Sequence, residues 1–485
     1  MSHVSSNLRA AENPLLNTGK KFCLAGILIY AVIFALYFPK TYSIMDEGGY
    51  LNLTYLYRAG HVTVDRSDFP HVGVVPYAGH LVPHSSPIVP FLLLPFTYLG
   101  WRGVFLTGFI AHLAGAWFFR NLLSENGIKN DFWTLLYLFF PGFVLYSRTL
   151  MTDVPAIACM MAGLAFALRP RPVYFAAGFA LALAVLFRPP QGIVMAVVGL
   201  FLLWNALARR QWLSVVHYSL GAAGPLALLA AFNVFFYGNP LMSGYVINVN
   251  QVTMWAAQYF LPHALFYLGS LTLVYPLMLP AFFAARTFRR PELLAAGLGL
   301  LLFYSFYFFR DRFALGFLAV VFNTRFIYPV AAMLLPAYCE TGERMLEKMN
   351  PRFRLLVMAG IFTVLAGGSS LLQIVHQRQL DAQWKLKEMI YSSTPERSQV
   401  FYDSRSAELI QKIWGERQYS LYEQDNYSGK YSGIGPHYLV LRDRQMDQFQ
   451  ENERLWIRDH FRVRTIHDEK DFTIYEMIPK RTGAS

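Results

Sequence analysis

The stretch FCLAGILIYAVIFALYFPKTYSIMDEGGY, residues 22–50, decides how the rest of the chain is read. Its first part, 22–38, carries no charge and approaches the roughly 20 apolar residues that cross a hydrocarbon core. Almost at once afterwards come two adjacent acids, Asp46 and Glu47, then Gly48, Gly49 and Tyr50. Other runs of the same kind follow, such as GIVMAVVGLFLLWNALA at 192–208. The chain has 485 residues, 55% of them hydrophobic and only 15% charged, against about a quarter charged in soluble proteins. These features predict an all-α polytopic membrane protein with about eleven transmembrane helices, at 22–38, 101–120, 132–147, 154–168, 172–187, 191–208, 212–235, 263–285, 292–309, 326–339 and 354–375. The segment PIVPFLLLPFTYL, 87–99, is apolar but short and holds three prolines, so it reads as a re-entrant or interfacial piece.

Charge tests this division. With Arg9, Lys20 and Lys21 on the cytoplasmic side, the cytoplasmic loops collect Arg120 and Lys129, Arg169 and Arg171, Arg209 and Arg210, Arg286, Arg289 and Arg290, then Arg344, Lys348, Arg352 and Arg354. The opposite short loops hold Arg148, Arg188, none across 237–262, and then Arg310, Arg312 and Arg325. That bias has the sign of the positive-inside rule, and counting 87–99 as a span would invert every later loop. The net charge of +12 is therefore a topology signal, and no nucleic-acid partner is implied. Cys23, Cys159 and Cys339, the only cysteines, lie in or beside apolar runs without disulfide or zinc spacing. The polar N-terminus lacks the cleavage site of a signal peptide.

Two domains are expected: a transmembrane domain over 1–375, its first outer loop (39–100) carrying interfacial helices, and an outer α/β domain over 376–485. In the latter, QVFYDSRSAELIQKIWGE reads as strand then helix, HYLVLRD as a strand, RQMDQFQENERLWIRDHF as a helix and RVRTIHDEKDFTIYEMI as a hairpin.

Ionisable groups at a membrane boundary are costly and are read first as functional. Four positions on the outer side qualify: Asp46 with Glu47; Asp153 in YSRTLMTDVPAIA; Arg188 in LFRPPQG; and Arg310, Arg312 and Arg325 in RDRFALGFLAVVFNTRFIYP. Each has a plainer alternative. Asp46 can be a solvated loop acid and Glu47 a helix cap. Asp153 before Val154-Pro155 can be an N-cap. Arg188 can snorkel, and Arg310 and Arg312 can anchor to headgroups. Gly48 and Gly49 permit close backbone approach, or form a simple turn. His61, His71, His80 and His84, with Asp65 and Asp68, crowd the first loop at spacings that match no ligand motif. A divalent metal is thus possible but unassigned, with His80 and His84 as its weak candidates.

Taken together these stretches resemble the GT-C superfamily of integral-membrane glycosyltransferases, which includes protein O-mannosyltransferases, the aminoarabinose transferases of lipid A and rhizobial galacturonosyltransferase-like proteins. The resemblance covers 22–340 and rests on MDEGGY after the first span, RTLMTDVP after the third, the outer loop YGNPLMSGY from Tyr237 to Tyr245, and RFIYP from Arg325 to Pro329. The last departs from the family's R-Y-x-x-P: Phe326 replaces the tyrosine, and Tyr328 is the candidate for the missing hydroxyl.

The resemblance implies a sugar donor linked through phosphate to a polyprenol such as undecaprenol, and transfer to an acceptor hydroxyl on lipid or glycan ahead of protein, for a lipopolysaccharide or other cell-envelope glycan. It implies Asp46 as general base, with Asp153 and Glu47 as further catalytic candidates. Arg325, Arg188, Arg310, Arg312, Tyr328 and Tyr245 would bind the donor and its lipid phosphate. The place implied is a bacterial inner membrane, with N-terminus cytoplasmic and both active site and C-terminal domain periplasmic. Against this stand a transporter or lipid flippase, which would place its polar groups at mid-membrane in repeated halves, and a glycan polymerase or ligase using a diphosphate-linked donor. The chain shows no repeat.

Overall fold

The computed structural model of the protein describes residues 14–61, 73–84, 86–247, 255–276, 278–284, 290–307, 321, 323–395, 398–402, 420–423, 436–442, 451–468 and 472–480. They fall into two compact units. One takes its described residues from Met1–Phe38, Leu106–Met242 and Asn248–Ile374, the other from Pro39–Phe105, Ser243–Ile247 and Val375–Ser485.

The first unit is helical. Each of the apolar stretches forms helix, in unequal pieces. Five helices are long and apolar enough to cross a membrane among the described residues: Leu16–Leu36, Trp101–Glu125, Pro189–Arg209, Trp212–Tyr237 and Pro351–Ser393. Asp153–Leu168, Tyr174–Phe187 and Pro291–Ser305 are shorter. The stretch 132–147 breaks into Asp131–Trp133, Thr134–Leu138 and Pro141–Tyr146, and 263–285 into Phe260–Val274 and Met278–Ala284. The broken stretch is the most deeply buried part of the unit: Phe132, Trp133, every residue of Thr134–Leu138, Phe143, Val144, Leu145 and Tyr146 are all inside. Irregular backbone is tolerated at membrane depth where protein, not lipid, surrounds it. This explains why the span expected at 132–147 is not one continuous helix.

Small residues set the helix crossings. A Cβ on Gly178 would meet the Tyr218 carbonyl oxygen at 2.1 Å, and one on Gly221 would meet the Phe175 carbonyl oxygen at 2.0 Å. This reciprocal pair lets Tyr174–Phe187 and Trp212–Tyr237 touch backbone to backbone, the usual device of helices packed in lipid. Around the broken stretch, Tyr30, Phe109, His112, Tyr137, Phe143 and Tyr328 form an aromatic core. Arg148, read from the sequence as an outer-loop charge, is instead 1% exposed, and its guanidinium donates to Gln373 Oε1 at 3.3 Å.

The second unit holds the first loop and the C-terminal part. Helix Met45–Arg58 packs Leu53 and Leu56 on Val74 and Leu81 of a hairpin, β1 (Val74–Tyr77) and β2 (His80–Pro83). Its two-residue turn is Ala78-Gly79, both at positive φ, as tight hairpins require. This hairpin was not expected; the short helix Val89–Leu93 and the 3-10 turns Leu94–Leu99 were.

The C-terminal strands are β3 (Gln399–Tyr402), β4 (Ser420–Glu423), β5 (His437–Arg442), β6 (Phe461–Asp468) and β7 (Phe472–Pro479), in the order β4-β3-β5-β7-β6. β3 runs parallel to β4 and β5, while β7 pairs antiparallel with β5 and β6. One face packs Val400, Tyr438, Val440 and Ile474 on Ile390, and the other packs Phe401, Leu439, Leu441 and Met477 on Ile457 of helix Glu451–His460. The α/β module read from the sequence is therefore present, with β4 an additional strand. The helix expected after β3 lies outside the described residues.

Candidate active site

The candidate residues form two groups, one within each unit.

In the second unit, Asp46 and Glu47 open the helix Met45–Arg58 and diverge. Glu47 is fully buried. Its Oε1 accepts from the Ser43 N–H at 3.1 Å, the Ser43 hydroxyl at 3.0 Å and the Ile44 N–H at 3.0 Å. That satisfies backbone donors at the helix start, the work of a capping carboxylate. Asp46, one residue earlier, is exposed.

The two glycines have packing roles. A Cβ on Gly48 would meet the Tyr42 hydroxyl at 2.8 Å, and one on Gly73 (φ +83) would meet the Gly49 Cα at 2.4 Å. Close approach, and not a turn, is what these glycines permit. Gly73 in turn accepts from the His84 N–H at 2.9 Å, and a Cβ on Gly244 would meet the Pro83 and His84 carbonyl oxygens at 2.3 and 2.4 Å. Burial pushes the His84 pKa below the ordinary histidine value, opposed by the nearby Asp46 carboxylate, which favours the charged ring. His80 lies exposed at the hairpin turn. Among the described residues, no group of three or more His, Cys, Asp or Glu side chains comes together as a metal site would need; His71 lies outside them.

In the first unit, Asp153 and Arg188 form an ion pair. Asp153 is the first residue of helix Asp153–Leu168, with Thr152 at the cap position and no side-chain capping bond. The acid is 1% exposed, and its second oxygen, Oδ2, has no hydrogen-bond partner among the described residues. Arg188 ends the helix Tyr174–Phe187 in extended backbone before Pro189. The two prolines fix the chain's exit and force the residue before them out of the helical region.

Arg325 lies on the 3-10 turn Thr324–Ile327. The ring of Phe326 lies 5.5 Å from the Arg188 guanidinium carbon and 4.8 Å from that of Arg325. Two arginines separated by more than a hundred residues of sequence thus share one aromatic ring. Two tyrosines lie in the same neighbourhood: the Tyr304 ring centroid is 5.2 Å from that of Phe326, and Tyr146 lies near Arg325. Neither tyrosine was singled out from the sequence, where both sit among many aromatics; the only signal was a hydroxyl inside an otherwise apolar run.

Tyr328 has an internal role. Its hydroxyl donates to the Val321 carbonyl and its ring fills the space over Gly142, where an added Cβ would meet Tyr328 Cζ at 2.1 Å. Arg310 and Arg312 lie outside the described residues, as does the side chain of Tyr245, whose backbone belongs to Gly244–Ile247.

No protein-family model matches the sequence, and no curated protein matches it. Among solved structures, the crystal structure of ArnT from Cupriavidus metallidurans in the apo state matches with a TM-score of 0.58 at 13% identity, covering 95% of this chain and 98% of that one. The likeness is one of fold over nearly the full length of both chains, and it agrees with the GT-C fold expected from the motifs.

Proposed function

We propose that the protein is a membrane glycosyltransferase that moves a sugar from a polyprenyl-phosphate carrier to an acceptor hydroxyl on a lipid or glycan. The observation that carries this reading is the group formed by Asp153, Arg188 and Arg325 around Phe326, in a chain with the fold of ArnT. Departure of a phosphate from an anomeric carbon builds negative charge on the leaving oxygens. Guanidinium groups held in place before the reaction stabilise that charge best, and with bidentate geometry. Asp153 offsets one of the two arginines, so the group retains about one net positive charge for the phosphate.

In the proposed reaction the acceptor oxygen attacks the anomeric carbon as the carbon–phosphate-oxygen bond breaks, with inversion. The acceptor proton passes to Asp46, and the bonding pair leaves with the polyprenyl phosphate. Asp46 suits the base role because it is exposed on the first turn of a helix whose seating is set by backbone contact at Gly49. Glu47, engaged at the helix start, is a structural residue in this reading, and Tyr328 supports the turn that carries Arg325. The division at residue 375/376, the outer (periplasmic) placement of both acids and the bacterial inner membrane belong to the same proposal.

The test is turnover by the purified protein in detergent, given a labelled polyprenyl-phosphate sugar and a membrane lipid extract. Transfer without a second compartment separates an enzyme from a transporter or flippase. A product larger by one sugar separates it from a polymerase or ligase.

A further inference from the structure

We propose that Arg148, Gln373 and Ser369 form a buried site for a small monovalent anion of the chloride class. All three belong to the first unit, and none is a residue of the candidate active site. The proposal does not rest on the transferase reading.

Ser369 and Gln373 lie one turn apart on the helix Pro351–Ser393, so they share a face. Polar side chains in so apolar a helix are costly without partners. The usual solution is seen next door: the Ser370 hydroxyl donates to the Ala366 carbonyl, one turn back, at 2.6 Å. Ser369 Oγ makes no hydrogen bond among the described residues, and neither does Gln373 Nε2. Arg148 orients the Gln373 amide, since its Nη1 donates to Oε1 at 3.3 Å. A guanidinium can only donate, so the amide turns its acceptor end to Arg148 and keeps both N–H donors for another group. Arg148 itself is carried on a fixed turn. Its N–H donates to the Leu145 carbonyl at 3.1 Å. The preceding Ser147 hydroxyl accepts from the Tyr30 hydroxyl at 2.7 Å and donates to the Val144 carbonyl at 2.8 Å. Helix Leu106–Glu125 closes on this turn at Gly108, where a Cβ would meet the Ser147 carbonyl oxygen at 2.4 Å.

The three groups share one chemistry. A guanidinium, an amide nitrogen and a hydroxyl all present donors, and Gln373 accepts from Arg148 without cancelling its charge. Donors gathered about a buried positive charge select an anion. Charge and burial then narrow the choice. One guanidinium balances one negative charge at low dielectric, whereas a doubly charged phosphate would bring a second charge inside without a counterpart. Arg148, Gln373 and Ser369 are 1%, 0% and 4% exposed, which suits an ion of very few atoms and excludes a lipid headgroup or a sugar. Chloride has the right charge, and it accepts hydrogen bonds from any direction. Bound there, it would join the Arg148 turn to the helix Pro351–Ser393 and satisfy both open donors on that helix.

Thermal melts of the full-length protein in a non-ionic detergent test this, with potassium chloride exchanged for potassium gluconate at constant ionic strength. The melting temperature should be about 2–4 °C higher in chloride, because only the folded chain assembles the site. Bromide should act as chloride does. Gln373→Glu sets a carboxylate beside Arg148 in place of the ion, and should remove the response to chloride while the protein stays folded in gluconate. Ser369→Ala takes away one donor and should raise the half-saturating chloride concentration about tenfold; it carries the test alone if Gln373→Glu does not fold. Equal melting of the parent in chloride and gluconate would overturn the proposal, as a bound water would give. So would a response to chloride that both variants keep unchanged, because the ion would then bind elsewhere. A gain with phosphate and none with chloride or bromide would overturn the assignment of a small monovalent ion.

Discussion

Two aspartates carry the proposed chemistry, and their surroundings are opposite. Asp46 sits in the second unit, exposed on the first turn of a helix, with its neighbour Glu47 occupied by the helix start. Asp153 sits in the first unit, 1% exposed, and is tied to Arg188. Near-identical sequence contexts, an acid just beyond an apolar span, have produced one exposed acid and one buried in an ion pair. The difference lies in what packs behind each. Asp46 has a glycine-cushioned helix that turns it outward, whereas Asp153 has an arginine held by two prolines and an aromatic face. A general base must reach solvent or substrate; a counter-ion must not.

The largest expected effect falls on the exposed acid. Asp46→Asn should lower turnover by about 100-fold or more, the usual worth of a general base, with an unchanged melting temperature. An Asp46→Asn variant within a few-fold of the parent would remove the contrast between the two acids. For the buried pair the sign of the contrast reverses, and stability is the property that moves. Arg188→Met leaves the Asp153 carboxylate buried without its partner and should cost about 3–5 kcal/mol, read as a lowered denaturation midpoint. The double variant Asp153→Leu/Arg188→Met should recover much of that loss, because neither charge is then stranded, yet should stay inactive.

Smaller effects sharpen the distinction within the adjacent acids. Glu47→Ala should cost about 1 kcal/mol of stability through the lost cap, with transfer retained at a temperature where the variant stays folded. Smallest is the contribution of His84, whose folded pKa lies below the unfolded value of about 6.5. Its stabilising effect is complete above about pH 6.5 and is lost as pH falls toward the depressed folded value, because the unfolded chain takes up the proton first. Melting temperatures of the parent should therefore fall more steeply than those of His84→Gln over that acidic range. Parallel curves would show that His84 is not held neutral by burial.

How much of this was legible in sequence follows the same division. Hydropathy and charge sufficed for the helical membrane fold, because both are additive along the chain. The fracture of 132–147 into three helical pieces was not legible, since a run such as FWTLLYLFFPGFVLY looks equally apolar facing lipid or protein. Pro141 was the only local hint. Asp153, Arg188 and Arg325 could be named because a charge beside an apolar run is conspicuous. Tyr304 and Tyr146 could not, because in a chain with 29 tyrosines a hydroxyl is no signal until its partner is known. Arg148 misled for the converse reason: its position between spans suggested solvent, while Gln373, its partner, is more than two hundred residues away.

The most direct measurement is transfer of label from a polyprenyl-phosphate sugar into membrane lipid extract by the purified full-length protein, parent beside Asp46→Asn. The account predicts transfer by the parent and transfer lowered about 100-fold or more in Asp46→Asn, with both proteins still binding the polyprenyl phosphate. Equal transfer by the two would contradict it.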